Sequence, residues 1–412
     1  MHIVFVDAVT DPVHPGAGGL SDIHWHLARE LVGAGERVTI IGPYQRNAAN
    51  PNPNVAFLPL TQAVFRRDNI ATYAMRALRL AHAAKNLDHV DVYHSPDSLT
   101  SAALALYGLG PRVVWHGNAN VHLFSQYGIP WDKSMYLLMR TATAFASKRI
   151  SRVVALGPSV VPWWERSGFL HERICVIPNG IDLSADTPSQ GTAQWHNPEI
   201  WRQSKYHLLY VGRLAAEKRG YFELIEAVAD LSSELSVSLV IVGDGPQRGK
   251  LEDLLRQRNL TDIVCCIGHQ PHEVVSQAYK HADLVILPTY ADMMPRVMLE
   301  AWAAGVPFMA TAIGAIPDYL RDNQNGFLLA SLEREYLRSR LREVLKNPEQ
   351  RARVAEGGQL TARELTWSHS ASKFRDVYRS VIAEQQEVNR PPYLRSRVSR
   401  GGDTVNRDPE GE

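Results

Sequence analysis

Residues Leu287–Asp318 read LPTYADMMPRVMLEAWAAGVPFMATAIGAIPD. The apolar run that closes at Leu287, Leu284–Leu287, has the length and composition of a buried strand. An irregular segment follows, and Pro295 then stands where a helix begins, since proline is disfavoured inside a helix and suited to its first turn. The helix is expected over Val297–Ala304, and Val306–Ala310 is a second apolar strand. Both strands are apolar throughout rather than alternating, as strands covered on both faces by helices must be. Strand, helix and strand in succession argue for a parallel, doubly wound sheet.

The same alternation extends outward from this stretch in both directions. Upstream in the same half, strands are expected at His207–Val211, Val237–Val242 and Ile263–Ile267, with helices at Tyr221–Leu231, Gln247–Gln257 and Pro271–Ala282. Leu183–Ser204 is polar, holds two prolines and lacks a period, so it reads as a link. Before it, strands are expected at Ile3–Val6, Arg37–Ile41, Val55–Leu58, Val90–His94, Arg112–His116, Arg152–Leu156 and Ile174–Ile177, with helices such as Gly19–Val32 and Lys133–Ile150. The expected organisation is an α/β protein: a Rossmann-like domain over 1–182, a linker over 183–204, a second such domain over 205–369, a closing helix over 370–388 and a disordered tail over 389–412, rich in Pro, Gly, Ser and Arg. Two tandem sheets imply a cleft between them, with ligands at the carboxyl ends of the strands.

Composition bounds the chemistry. The chain has 412 residues, 45% of them hydrophobic and 21% charged, with 44 Lys plus Arg against 43 Asp plus Glu. That balance of +1 gives no reason to expect nucleic acid as a partner. No apolar run approaches the roughly 18 residues that span a bilayer, and the first residues lack the basic region and cleavage site of a signal peptide. Cys175, Cys265 and Cys266 sit in strand-like runs and fit neither a disulfide framework nor a zinc site. A cytoplasmic location is expected.

Four segments carry candidate chemistry. The loop after the first strand holds Gly16, Gly18 and Gly19 ahead of a helix, an arrangement that lets backbone amides approach an anion. It is not a dinucleotide fingerprint, because Ser21 stands where the third glycine is required and no acidic residue closes the second strand. Arg213 and Lys218 follow a strand's carboxyl end, where a guanidinium fork and a compact ammonium suit a diphosphate; a solvated surface pair is the alternative. Gly243 and Gly245 form a strand-to-helix turn with Pro246. Asp292 precedes the helix that carries Glu300 about two turns in, and the free N–H groups around Met294–Val297, beside Pro295, open that helix toward an anion. The alternative for Asp292 is a helix cap. Glu300 lies on a side that looks buried, where a carboxylate needs a partner.

These motifs together resemble the retaining, nucleotide-sugar-dependent glycosyltransferases of the GT-B fold, specifically glycosyltransferase family 4. The resemblance runs from Gly18–Gly19 to about Phe327. It takes in His116–Gly117, Pro178–Asn179–Gly180–Ile181–Asp182, Gly212–Arg213 with Glu217–Lys218, Gly243–Gly245 and Gly268. It continues through the acids Asp292 and Glu300, Ala304–Gly305–Val306–Pro307, Gly314–Ala315–Ile316–Pro317–Asp318 and Asn325–Gly326. It implies two Rossmann-like domains facing a central cleft, and transfer of a sugar from a nucleoside diphosphate to an acceptor hydroxyl. Arg213 and Lys218 would hold the diphosphate, Glu300 the ribose and Asp292 the donor sugar. Backbone near Gly268 would meet the base, Gly19 would let the first loop approach the phosphates, and His116 would sit near the sugar. The last helix would cross back onto the first domain.

The family's usual Glu is Asp at 292, and its frequent Phe-Gly is replaced by Met293–Met294–Pro295. No Asp-x-Asp metal motif occurs, so no metal or cofactor is expected, and Arg213, Lys218 and a helix N-terminus stand in for one. The acceptor is a lipid-linked sugar, a glycan or a small molecule, in polysaccharide, glycolipid or glycoconjugate biosynthesis. Lys133–Ile150 carries an apolar stripe (Met135, Leu138, Met139, Ala142, Phe145) that either packs inward or gives weak peripheral contact with the inner membrane face. A GT-B epimerase and an inactive GT-B partner subunit are the competing readings.

Overall fold

The computed structural model describes residues 1–7, 19–42, 54–59, 70–118, 133–183, 195–214 and 220–390. Gly18, Lys218 and the tail beyond 390 lie outside them.

The first half forms a seven-stranded sheet of β1 (His2–Val6), β2 (Arg37–Gly42), β3 (Val55–Pro59), β4 (Val92–Ser95), β5 (Val113–His116), β6 (Arg152–Ala155) and β7 (Ile174–Val176). All pairings are parallel, in the order β3-β2-β1-β4-β5-β6-β7. Helices α1 (Gly19–Gly33), α2 (Ile70–Lys85), α3 (Ser98–Leu106), α4 (Lys133–Ser147) and α5 (Val161–Arg166) connect the strands. The second half pairs β8 (Tyr206–Val211), β9 (Val237–Val242), β10 (Val264–Gly268), β11 (Leu284–Leu287), β12 (Phe308–Thr311) and β13 (Phe327–Leu329) in the order β10-β9-β8-β11-β12-β13, again all parallel. Its helices are α6 (Glu199–Gln203), α7 (Tyr221–Leu231), α8 (Arg248–Gln257), α9 (His272–Lys280), α10 (Arg296–Ala303), α11 (Ile316–Tyr319), α12 (Arg334–Leu345), α13 (Pro348–Glu364) and α14 (Trp367–Asn389). Strand order reverses between β1 and β4 in one sheet and between β8 and β11 in the other. Those switch points open crevices at the strands' carboxyl ends.

The apolar strands are buried on both faces. Ile3 and Phe5 of β1 face a core shared with α1 and α14, whereas Val4 and Val6 face the core under α2 and α3. Helix α14 returns to the first domain and buries Trp367, Phe374, Tyr378 and Val381 there, at about 1.5–3 kcal/mol for each large apolar side chain. It starts at Trp367 because the Thr366 hydroxyl caps it, accepting from the His369 amide at 3.2 Å.

Three expectations change. The segment read as a pure link contains α6, which buries Ile200 and Trp201, because two large apolar side chains outweigh the polar average around them. A sixth strand, β13, completes the second sheet from a run of only three residues, too short to stand out by pattern. Helix α8 begins at Arg248, since Gly243–Gln247 is consumed by the turn. The stripe on α4 packs inward: Ala142 is buried, and Leu138, Met139 and Phe145 lie against the core. No helix among the described residues is long and apolar enough to cross a membrane. All three cysteines are unbridged.

Candidate active site

Three loops meet at the carboxyl edge of the second sheet. The Gly212 amide donates to the Val242 carbonyl (3.0 Å), Leu214 to Asp244 (3.0 Å), Gln247 to Leu214 (3.0 Å) and Gly243 to Gly268 (2.8 Å). The loops after β8, β9 and β10 are thereby fixed to one another. Gly243 has φ of +149°, and a Cβ there would stand 1.9 Å from the Gly212 carbonyl oxygen. Only glycine permits that approach. Gly245 lies in the same turn, its amide donating to Asp244 Oδ1 at 2.7 Å. Arg213 emerges from this platform with its side chain exposed, a cation on a stiff base at the switch point.

The segment from β11 to α10 forms the adjoining wall. Met293, Met294 and Pro295 are buried and Asp292 is partly buried. Pro295 occupies the N-cap position of α10 and supplies no side-chain cap of its own. The loop is pinned from below by the Ala315 amide, which donates to the Met293 carbonyl at 2.7 Å. The amides of Arg296 and Val297, at the start of α10, have no intrahelical acceptor and carry the positive end of the helix dipole.

Glu300 is the fifth residue of α10, a little over one turn in rather than two. Its Oε2 accepts from the Tyr279 hydroxyl at 2.8 Å, and Oε1 lies 3.1 Å from Arg296 Nη2. Arg296 also donates to Asp22 of α1 at 2.5 Å, so one guanidinium ties the first domain to the second. Arg296 and Glu300 expose only 13% and 12% of their side chains. Burial opposes the Arg296 charge, but Glu300 and Asp22 outweigh it and hold the guanidinium protonated. Burial first, and then Glu300, push the Tyr279 hydroxyl well above its usual range. Around this group lies a pocket between the domains, walled by His26, Asp182, His272, Arg296, Glu300 and Trp367. Arg296 was absent from the sequence reading; its i,i+4 spacing to Glu300 was the available signal.

Further contacts close the two domains. The Ser159 amide and hydroxyl both donate to Asp318, at 2.9 and 2.5 Å. The Tyr319 hydroxyl donates to the Leu156 carbonyl at 2.7 Å. The Asn179 amide points to Met294 Sδ at 3.3 Å.

His116 ends β5 and is wholly buried. The expectation placed it beside a sugar in the cleft. Its ring instead faces His24 of α1 and His94 of β4, with Phe374 of α14 4.9 Å away. The cause is the switch point itself, which draws the ends of β1, β4 and β5 under α1 and α14. Burial first, and then the neighbouring histidines, hold His94 and His116 well below the ordinary imidazole range, so both are neutral.

Two facing doubly wound domains, with a cation, glycine-shaped loops and a helix N-terminus gathered at the second domain's switch point, define the GT-B class. Comparison with solved structures agrees: the chain covers 92% of its own length and 100% of Anabaena HepE, solved in complex with UDP-glucose, with a TM-score of 0.71 at 18% identity. Residues 17–185 match the sequence model described as Glycosyltransferase Family 4, and residues 192–361 match Glycosyl transferases group 1. The chain is accordingly a GT-B glycosyltransferase of family 4/group 1. It is 31% identical over 176 residues to alpha-D-kanosaminyltransferase of Streptomyces kanamyceticus, a match spanning 42% of this chain and 45% of that one. It is 23% identical over 384 residues to N-acetyl-alpha-D-glucosaminyl L-malate synthase of Bacillus anthracis, spanning 90% and 97% of the two.

Proposed function

We propose that the chain transfers a sugar from a nucleoside-diphosphate sugar to an acceptor hydroxyl, with retention at the anomeric carbon. The observation that supports this reading is that Arg213, the stitched loops after β8, β9 and β10, and the opening amides of α10 all follow the carboxyl ends of strands in the second sheet. The barrier to glycosyl transfer is charge separation between an oxocarbenium-like sugar and a departing diphosphate. Fixed cations and amide dipoles that meet the developing negative charge are the device that lowers it.

In this reading Arg213 and Lys218 receive the diphosphate and the start of α10 completes its shell, with no metal ion required there. Glu300 binds the ribose. Two of its oxygen contacts are taken by Tyr279 and Arg296, and a carboxylate has acceptor capacity for further hydroxyl donors. Asp292 orients the donor sugar. The departing diphosphate takes the acceptor's proton on the same face, which keeps the anomeric configuration. The UDP-glucose bound by HepE supports a nucleotide-sugar donor for this architecture. Incubation with a panel of UDP-, GDP- and ADP-sugars and hydroxyl acceptors, with the product's anomeric proton read by NMR, tests the reading. An α-linked product from an α-linked donor is expected; an inverted product would refute retention.

A further inference from the structure

Three histidines far apart in sequence converge at the switch point of the first sheet. His24 comes from α1, His94 from the end of β4 and His116 from the end of β5. All three are buried, at 1%, 0% and 0% exposure. One ring nitrogen from each lies within 4.8 Å of the others.

Two of the ring nitrogens are occupied. His24 Nδ1 is 2.6 Å from Asp7 Oδ2, and His94 Nδ1 is 2.7 Å from the Tyr378 hydroxyl. The other nitrogens of these two rings are not. His24 Nε2 and His94 Nε2 have no hydrogen-bond partner among the described residues, and the polar group that His116 meets besides the other rings is the side chain of Asn179. A buried polar atom left unpaired costs about 1–3 kcal/mol, so two of them around one point are a poor way to fill a core. Aromatic packing alone, against Phe5 and Phe374, would be served better by apolar rings.

The ring positions fit one centre. A tetrahedral ion about 2.05 Å from each ring nitrogen, hence about 3.2 Å from each ring centre, sets the ring centres about 5.2 Å apart. Here the separations are 5.3 Å for His24 and His94, 5.3 Å for His94 and His116, and 6.0 Å for His24 and His116. Modest rotation of the rings brings their nitrogens to bonding distance. Asp7, bonded to His24 Nδ1, fixes the tautomer that leaves Nε2 with its lone pair and adds one negative charge, the arrangement that metal-binding histidines ordinarily have.

We propose that His24, His94 and His116 bind one divalent transition-metal ion, zinc(II) in the first instance, with Asp7 and Tyr378 orienting His24 and His94. Three buried imidazoles suit zinc, and a fourth position remains for an oxygen donor. The ion joins α1, β4 and β5 and, through Tyr378, α14, so its first effect is on the stability of the domain. No metal was expected from the sequence, because that expectation rested on acidic motifs contiguous in the chain; only the fold brings these three residues together.

The test uses the full-length, untagged chain. Metal analysis after purification is expected to find about one zinc per chain. After stripping with a chelator, the melting temperature should fall, and added zinc should restore it. Cobalt(II) added to the stripped chain should give the intense visible absorption of a tetrahedral site, saturating at about one equivalent. Asp7→Asn keeps all three ligands and should raise the zinc dissociation constant about 10–100-fold; His24→Gln should lose the cobalt band. Should His24→Gln fail to fold by circular dichroism, the wild-type measurements and Asp7→Asn decide alone. A stripped wild-type chain with no intense cobalt band and no response of its melting temperature to zinc would overturn the site, leaving a water-filled or empty histidine cluster. A weak octahedral spectrum would overturn it equally.

Discussion

Replacing Glu300 by Gln separates the structural role of one carboxylate, its contacts with Tyr279 and Arg296, from its proposed role at the ribose. Gln keeps the shape and one carbonyl oxygen, so the Tyr279 hydroxyl retains an acceptor. The ion pair with Arg296 is lost, but Arg296 still has Asp22 at 2.5 Å. The loss of stability should therefore be about 1.5–3 kcal/mol, the scale of one charge-assisted hydrogen bond, and not the 3–5 kcal/mol or so of a buried charge left alone. Donor binding should suffer more visibly. A hydroxyl–carboxylate hydrogen bond worth about 1.5–3 kcal/mol corresponds to roughly a 10- to 150-fold rise in donor KM, at 1.4 kcal/mol for each factor of ten. The ribose is remote from the breaking bond, so kcat should change little. Steady-state kinetics with the nucleotide-sugar varied, alongside thermal melting, read both quantities. A variant that melts normally, keeps the wild-type donor KM and loses kcat would refute the ribose assignment.

Three more outcomes follow from the same geometry. Asp292→Asn should lower kcat more than it raises KM if, as proposed, its charge orients the reacting sugar; an unchanged kcat would remove it from the reaction. Arg213→Ala should cut turnover about 10²-fold or more with melting unchanged, since the side chain is exposed; turnover near wild type would take Arg213 out of the site. Gly243→Ala should be costly to both stability and donor binding, by about 3 kcal/mol or more in the former, because its Cβ would meet the Gly212 carbonyl oxygen; a normally melting variant would show that the loops are not locked together.

The sheets were legible in the sequence because strands such as Val237–Val242, apolar but for Ser238, and Leu284–Leu287, apolar throughout, are buried on both faces. The β13 strand was not, since three residues carry no period. Helix α6 was hidden by the polar composition around Ile200 and Trp201. In the candidate site, contiguous features could be read locally: the glycines of the β9 turn and the acids on either side of Pro295. What escaped was long-range pairing. Arg296 reaches Asp22 across 274 residues and Asp318 reaches Ser159 across 159; neither contact leaves a trace in spacing. The histidine cluster failed to show for the same reason. His24 reads as one more residue of an amphipathic helix and His94 as a strand end, until parallel pairing sets β4 between β1 and β5.

The central claim is that the crevice at the second domain's switch point holds a nucleoside-diphosphate sugar. Thermal melting of the chain against separate UDP-, GDP- and ADP-sugars tests it most directly, since a ligand at about 100 times its Kd stabilises the folded state by about 2.7 kcal/mol. The account predicts that at least one nucleotide class raises the melting temperature, that the matching free nucleoside diphosphate does so as well, and that Arg213→Ala diminishes both effects. A folded chain whose melting temperature responds to none of these donors would contradict it.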